Sequence, residues 1–521
     1  ERPQQMIRSW PGIIATGLVA TLTLGTLTAV GWRAESWGAL SDADWQAVRF
    51  TLVQATLSAL ISVALAVPVA RALARRQFFG RGALITLLGA PFILPVIVAV
   101  LGLLAVFGRS GIISQMLGWF GLEPVHIYGL HGVVLAHVFF NLPLATRLIL
   151  QGWSAIPAER FRLAAALGFG SRDVFRLIER PMLREILPGA AMIIFVICTT
   201  SFAVALALGG GPRATTVELA IYQAFRFDFD LAHAAQLALI QFAICGLAAG
   251  AMIWVHIPQA IGGGLDRAVK RWDALSSGSK VIDVVWIGLA AVFLLAPITA
   301  IVLRGLPGLF DLPPAVFRAA GRSILVALIS AGLAILLATA MAFAVQRLRR
   351  ARLSAVVEAV GYLSIAASPL VMGTGLFILI FPFANPMTFA LPVTALVNAV
   401  MSLPFALRAI VPEITRVAGT YDRLSHSLGL HGWAAWKWVY WPRLRRPLGF
   451  SAGLAAALSM GDLGVIALFG DPNAATLPLQ LYRLMAAYRM DQAAGAALLL
   501  MALSLAMFWI FDRGGRVDVD A

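Results

Sequence analysis

The segment Leu142-Pro143-Leu144-Ala145-Thr146-Arg147 returns as Leu403-Pro404-Phe405-Ala406-Leu407-Arg408, 261 positions later. The same offset carries Leu167-Gly168, Phe175 and Pro181 onto Leu428-Gly429, Trp436 and Pro442. After a one-residue shift to 260, Pro212, Thr216 and Tyr222 meet Pro472, Thr476 and Tyr482. A register kept over residues 142–222 marks an internal duplication, which fixes the architecture before any single motif is read.

On either side of these matched segments lie long uncharged runs. They occupy 11–32, 50–70, 83–107, 125–146, 186–208 and 234–255, and again 284–303, 323–346, 359–381, 387–407, 448–470 and 492–511. A bilayer crossing takes about 20 apolar residues, so each half contributes six. The stretch after Trp10 is read as the first span, being too long for a cleavable leader and lacking a small-residue cleavage site. Of the 521 residues, 60% are hydrophobic and 12% charged, a balance that excludes a soluble globular domain. The expected fold class is an all-α polytopic membrane protein with twelve transmembrane helices in two parallel six-helix repeats. An even number of crossings between repeat mates relates the halves by an axis along the membrane normal. The expected units are 1–260, a linker at 261–282 and 283–521.

The net charge of +15 could suggest nucleic acid, but the basic residues sit between the apolar runs. With the termini and alternate loops assigned to one face, that face holds 30 of the 40 lysines and arginines. Both termini and the segments 152–186, 256–282 and 411–447 are therefore expected in the cytoplasm, with lipid around the spans and no nucleic-acid partner. Neither lysine-bearing segment nor glycine-rich turn forms a phosphate loop, since none of the three lysines follows a glycine. HExxH is also missing, and the GxSxG match Gly449-Phe450-Ser451-Ala452-Gly453 falls inside the uncharged run 448–470 rather than at a strand-to-helix turn. Cys198, Cys245 and the scattered histidines His126, His131 and His233 show no metal-ligand spacing. No catalytic residue and no metal site is expected.

Each half has one long basic loop in which Leu-Gly, an aromatic residue and a proline keep their spacing. The pattern predicts a short helix ended by Gly168 or Gly429 and a second helix ended before Pro181 or Pro442. Phe169, Phe175, Trp433 and Trp436 would then present an apolar face to another protein or pack on the chain's own span ends. Within the spans, Asp462 is read as the only well-embedded charge. It either attracts a cationic ligand or makes a helix-packing hydrogen bond beside Gly461 and Gly464. His137 and Asn141 share a helix face, as do their mates Asn398 and Ser402, facing a pathway or bonding between helices. Glu218, Asp228, Asp230, Asp471 and Asp491 in 209–232 and 470–491 are expected on an outer landing surface.

The segments Arg162-Leu163-Ala164-Ala165-Ala166-Leu167-Gly168 through Ile178-Glu179-Arg180-Pro181, and Arg423-Leu424-Ser425-His426-Ser427-Leu428-Gly429 through Val439-Tyr440-Trp441-Pro442, resemble the EAA loop of bacterial ABC-importer permeases. The acidic residue usual in that loop is Arg162 in one copy and Arg423 in the other. Two such motifs on one chain resemble the fused type I permeases for ferric iron and thiamine. The runs 135–143, 209–223 and 461–470 are similar to thiamine-permease sequence. The resemblance implies coupling helices, carried here by Leu167, Gly168, Phe175, Pro181, Leu428, Gly429, Trp436 and Pro442, docked on two cytoplasmic ATPase subunits. It further implies ATP and Mg²⁺ bound by those partners and no cofactor in this chain. A periplasmic binding protein would deliver a small-molecule substrate, thiamine or its phosphates, across the bacterial inner membrane. A ferric-iron importer and an ion-gradient-driven carrier are the alternatives; the paired Leu-Gly loops argue against the carrier, which needs no matched ATPase docking sites.

Overall fold

The computed structural model describes residues 9–34, 40–89, 93–252, 271–272, 276–348, 350–470 and 474–515. Most of the expected 261–282 linker and the residues Arg2, Arg8, Asp471, Pro472 and Arg516 lie outside them. In the first half the helices are α1 (Trp10–Arg33), α2 (Asp42–Arg75), α3 (Arg81–Leu87), α4 (Val96–Phe107), α5 (Ile112–Trp119), α6 (Leu130–Ala155), α7 (Ala158–Ala166), α8 (Ser171–Val174), α9 (Arg180–Thr199), α10 (Ala203–Leu208), α11 (Val217–Arg226) and α12 (Leu231–Met252). The second half repeats the plan as α13 (Ser277–Gly308), α14 (Pro314–Arg347), α15 (Ala351–Leu363), α16 (Pro369–Ile380), α17 (Ala390–Ser427), α18 (Trp433–Ala435), α19 (Trp441–Gly461), α20 (Gly464–Phe469), α21 (Leu477–Ala486) and α22 (Met490–Gly515).

Eleven helical segments among the described residues are long and apolar enough to cross a membrane. The remaining expected run, 359–381, is divided between the end of α15 and the shorter apolar helix α16, with Ser368-Pro369 between. Its mate, 83–107, is interrupted in the same way before Pro95. Proline cannot donate to the helical ladder and holds the preceding residue extended, so both third spans break where the sequence places Pro95 and Pro369. Along α13, Val281, Val284, Val285, Leu289 and Val292 are exposed, as lipid-facing side chains must be when the surrounding solvent is hydrocarbon.

The first span of each half packs on the other half. α1 lies along α14 and α16, with Gly12 against Ala340 and Gly375 against Thr26 at backbone contact. α13 lies along α2 and α4, with Gly102 against Pro297 and Ile301. Apolar lipid gives helices little hydrophobic reason to associate, so close approach over small residues supplies the attraction. Arg75 and Arg76 add an ionic tie between the halves, both holding the buried Asp283 at 2.5 and 2.6 Å. One buried apolar cluster consequently runs through both halves.

The matched basic loops differ in one respect. In the first half α6 ends at Ala155 and Pro157 separates it from α7. In the second, α17 runs 38 residues without a break, because the repeat mate of Pro157 is Ala418. The expectation that a helix ends before Pro181 or Pro442 is corrected. The chain passes through both prolines by a π-helical turn, Phe175–Glu179 and Trp436–Tyr440. Arg180 N–H donates to the Phe175 carbonyl and Trp441 N–H to that of Trp436, five residues back. A regular turn would leave one carbonyl without its donor and crowd it with the proline ring; the wider turn relieves both.

Candidate translocation cavity and coupling segments

Between the halves lies a cavity of about 360 Å³, within the range of small-molecule sites. Four helix interruptions border it. They are Ile93–Pro95 before α4, Thr200–Phe202 between α9 and α10, Pro369 at the start of α16, and Asp462–Leu463 between α19 and α20. Irregular backbone at membrane depth persists only where it faces protein or a polar space, and two breaks per half converge on this one cavity. α6 and α17 line it as well, together with residues of α9, α11 and α19.

All five side chains expected on the pathway line this cavity: His137, Asn141, Asn398, Ser402 and Asp462. Several also bond between helices. His137 Nδ1 lies 3.3 Å from the Ser58 hydroxyl of α2. Asn398 Nδ2 donates to Ser459 Oγ at 3.0 Å, and that hydroxyl donates to Ser330 of α14 at 3.1 Å. Asn141 and Ser402 each donate to a carbonyl four residues back, those of His137 and Asn398, at 2.8 Å. His137 and Asn398 thus bond between helices, Asn141 and Ser402 bond to carbonyls of their own helices, and all four line the space. Asp462 terminates α19, and its Oδ1 accepts from Gly464 N–H at 3.2 Å across the break. Its Oδ2 is buried without a hydrogen-bond partner, as is His137 Nε2.

Glu218 corrects the sequence reading twice. It was expected on an outer surface with Asp228 and Asp230, and Asp462 was expected to be the only embedded charge. Glu218 is instead 0% exposed and lines the same cavity as Asp462. The folding of the 209–226 segment carries it inward. Val217 N–H donates to Thr51 Oγ1 of α2 at 3.0 Å, pinning the start of α11 against the bundle; the repeat mate Leu477 N–H donates to Ser323 Oγ at 2.8 Å. Only the amphipathic character of α11 could have signalled in the sequence that residues 217–226 have a buried face. Asp228 and Asp230 remain exposed, Asp230 capping α12 through Ala232 and His233 N–H.

On the basic face, the two coupling segments keep their matched geometry. Gly168 and Gly429 follow their helices with φ of +70° and +66°. Phe169 N–H donates to Ala164 O at 3.0 Å and Leu430 N–H to Ser425 O at 2.9 Å, the six-to-one bond of a Schellman terminus. The aromatic residues divide. Trp433 is 74% exposed, whereas Trp436 packs on Phe343 and Trp441, and the Phe169 carbonyl accepts from Trp272 Nε1 at 3.0 Å. Exposed apolar side chains recur at three matched pairs: Leu163 with Leu424, Leu167 with Leu428, and Leu177 with Trp438. Sequence spacing singled out only the middle pair. Arg162 and Arg423 are both exposed.

Under each segment the π turn buries one polar side chain at the same register. Glu179 meets Arg71 Nε at 2.8 Å, Arg271 Nη1 at 2.5 Å and Trp153 Nε1 at 3.2 Å. Its mate Tyr440 accepts from Arg347 Nη2 at 2.7 Å and donates to Asp422 at 2.8 Å. Both turns are therefore tied to an arginine at the end of the second span of their half. Each segment thus has a matched exposed face and a matched buried anchor.

No family model matches the chain. A thiamine transport system permease protein (ThiP) of Escherichia coli (strain K12) is 40% identical over 540 residues, covering 100% of this chain and 99% of the relative. The protein of the same name from Brucella abortus (strain 2308) is 39% identical over 523 residues, 98% and 96%. A molybdenum transport system permease protein (ModB) of Azotobacter vinelandii is 30% identical over 182 residues, 35% of this chain and 80% of the relative. Most of that relative thus fits within about a third of this chain, as expected where one chain carries two permease units.

Proposed function

The chain belongs to the family of thiamine transport system permeases, and from that premise we propose that it is the membrane-spanning subunit of an ATP-driven importer that passes thiamine or its phosphates inward. Similarity at about two residues in five over the full length carries this reading. The cavity supports it, being lined from both halves. The chain has no phosphate loop, so the energy comes from two cytoplasmic ATPase subunits that bind ATP and Mg²⁺. These seat on Leu163, Leu167 and Leu177 of one half and Leu424, Leu428 and Trp438 of the other. A periplasmic binding protein delivers substrate to the opposite face. The 30 to 10 distribution of basic residues puts both termini and the coupling segments in the cytoplasm of a bacterial inner-membrane protein. The sequence divides into permease units at 1–260 and 283–521.

Reconstitution of this chain with its ATPase and binding protein in proteoliposomes tests the reading. Thiamine uptake should require ATP in the lumen with the ATPase, and the purified chain alone should hydrolyse none. Uptake of ferric iron but not thiamine would replace the substrate. Uptake driven by an ion gradient without ATP would replace the class.

A further inference from the structure

Three carboxylate oxygens inside the bundle have no hydrogen-bond partner among the described residues: both of Glu218 and one of Asp462. Ser368 and Gln241 are the polar neighbours of Glu218, but neither reaches hydrogen-bond geometry with it. An ionised carboxylate left unpaired in the interior is costly, so it either carries a proton or is met by an opposite charge. Both groups line the same cavity, one from each half, and no lysine or arginine lines it with them.

Neither acid is there for the architecture. The repeat mate of Glu218 is Pro478, and that of Asp462 is Ser201 or Phe202, so the duplicated plan builds the same walls without them. An acidic residue in the first turn of a helix can serve the helix terminus, but at α11 other groups do that work. Thr51 takes the Val217 N–H, the Thr216 side chain takes that of Leu219, and the Thr216 carbonyl takes that of Ala220.

We propose that Glu218 and Asp462 together form one binding site for a monovalent organic cation within the central cavity. The occupant is an organic cation rather than a chelated metal ion. No group of three or more His, Cys, Asp or Glu among the described residues could hold a metal, and Phe140, Phe202 and Phe405 line the same space. Aromatic faces and carboxylates both favour a delocalised cation over a neutral ring. Identifying this cation with the thiazolium of thiamine rests on the proposed function; the site itself rests on the geometry. A carboxylate from each half gives the cation a reason to hold the two halves in one arrangement, and the halves release it when their separation changes.

Two measurements test the site. In the reconstituted complex, Glu218→Gln and Asp462→Asn should each lower initial thiamine uptake by about tenfold or more, with assembly and binding-protein-stimulated ATP hydrolysis kept. The double variant should fall little below the weaker single one, because two groups that hold one ligand act as a unit. Separately, the unaltered full chain in lipid nanodiscs is treated with a hydrophobic carbodiimide, and modification at 218 and 462 is read by peptide mass spectrometry. Tetraethylammonium and thiamine should each slow it and a neutral aminopyrimidine should not, a readout that survives even if a variant fails to fold. Protection by tetraethylammonium with neither protection by nor uptake of thiamine leaves the cation site standing and removes thiamine. Equal modification with and without either cation, or variants that keep more than about half of the uptake, overturns the site.

Discussion

Gly168 and Gly429 hold a backbone conformation, φ near +70°, that a side chain adopts only with strain. Nothing crowds the space around either glycine, so a leucine there is resisted by the backbone alone, by about 1 kcal/mol. Gly168→Leu with Gly429→Leu should insert and assemble but lose most ATP-coupled uptake, because the chain leaving each coupling helix is redirected. Asparagine, which tolerates this region, should retain much more; equal uptake by all three proteins would remove the coupling role. Glu179 makes the opposite case, a charge fully buried among Arg71, Arg271 and Trp153. Glu179→Ala removes the carboxylate that answers the buried Arg271 and the part-buried Arg71, a loss of about 3–5 kcal/mol. Thermal unfolding of the purified chain should shift clearly downward, whereas Glu413→Ala, an exposed ion pair with Arg416, should leave it nearly unchanged.

Among the elements, the π turns are an irregularity that both halves share at the same register. Each places an exposed apolar side chain, Leu177 or Trp438, and a buried anchor, Glu179 or Tyr440, two residues apart on one wide turn. Replacing Pro181 and Pro442 by alanine restores the missing donor and removes the ring that made the wide turn preferable. A relaxed regular helix would rotate the preceding segment by a large fraction of a turn, at about 100° per residue. The double alanine variant should fold and be at least as stable to heat, yet couple ATP hydrolysis to uptake several-fold less well. Unchanged coupling would show that the π turn is a consequence of the prolines and nothing more. The legible part of this element was its spacing; the turn itself was not, because proline signals only that a regular turn fails, not which irregular one replaces it.

For the whole molecule, the halves interlock through α1 and α13, so neither is a separate body. The native thiols do not interfere with a topology measurement, since Cys198 and Cys245 are both buried. Single cysteines at the exposed positions Phe383 and Tyr488 should react with an impermeant maleimide from outside intact cells. Those at Leu167 and Leu428, also exposed, should react only after permeabilisation. The reverse pattern would invert the orientation taken from the basic residues.

The sequence alone determined the membrane class, the duplication and its register, the placement of Gly168 and Gly429, and the five polar residues that meet in the cavity. These follow from properties local in the chain: hydropathy over about 20 residues, a constant offset, and a residue type with special backbone freedom. Whether a residue such as Glu218 points to water or to the interior depends on which helix its segment folds against. That contact, Val217 N–H on Thr51, spans 166 positions. The interlocking first spans, the π turns and the placing of Glu218 and Asp462 on one cavity were likewise decided only by the tertiary structure. Each arises from packing between segments distant in the chain, and a linear pattern carries no term for that distance.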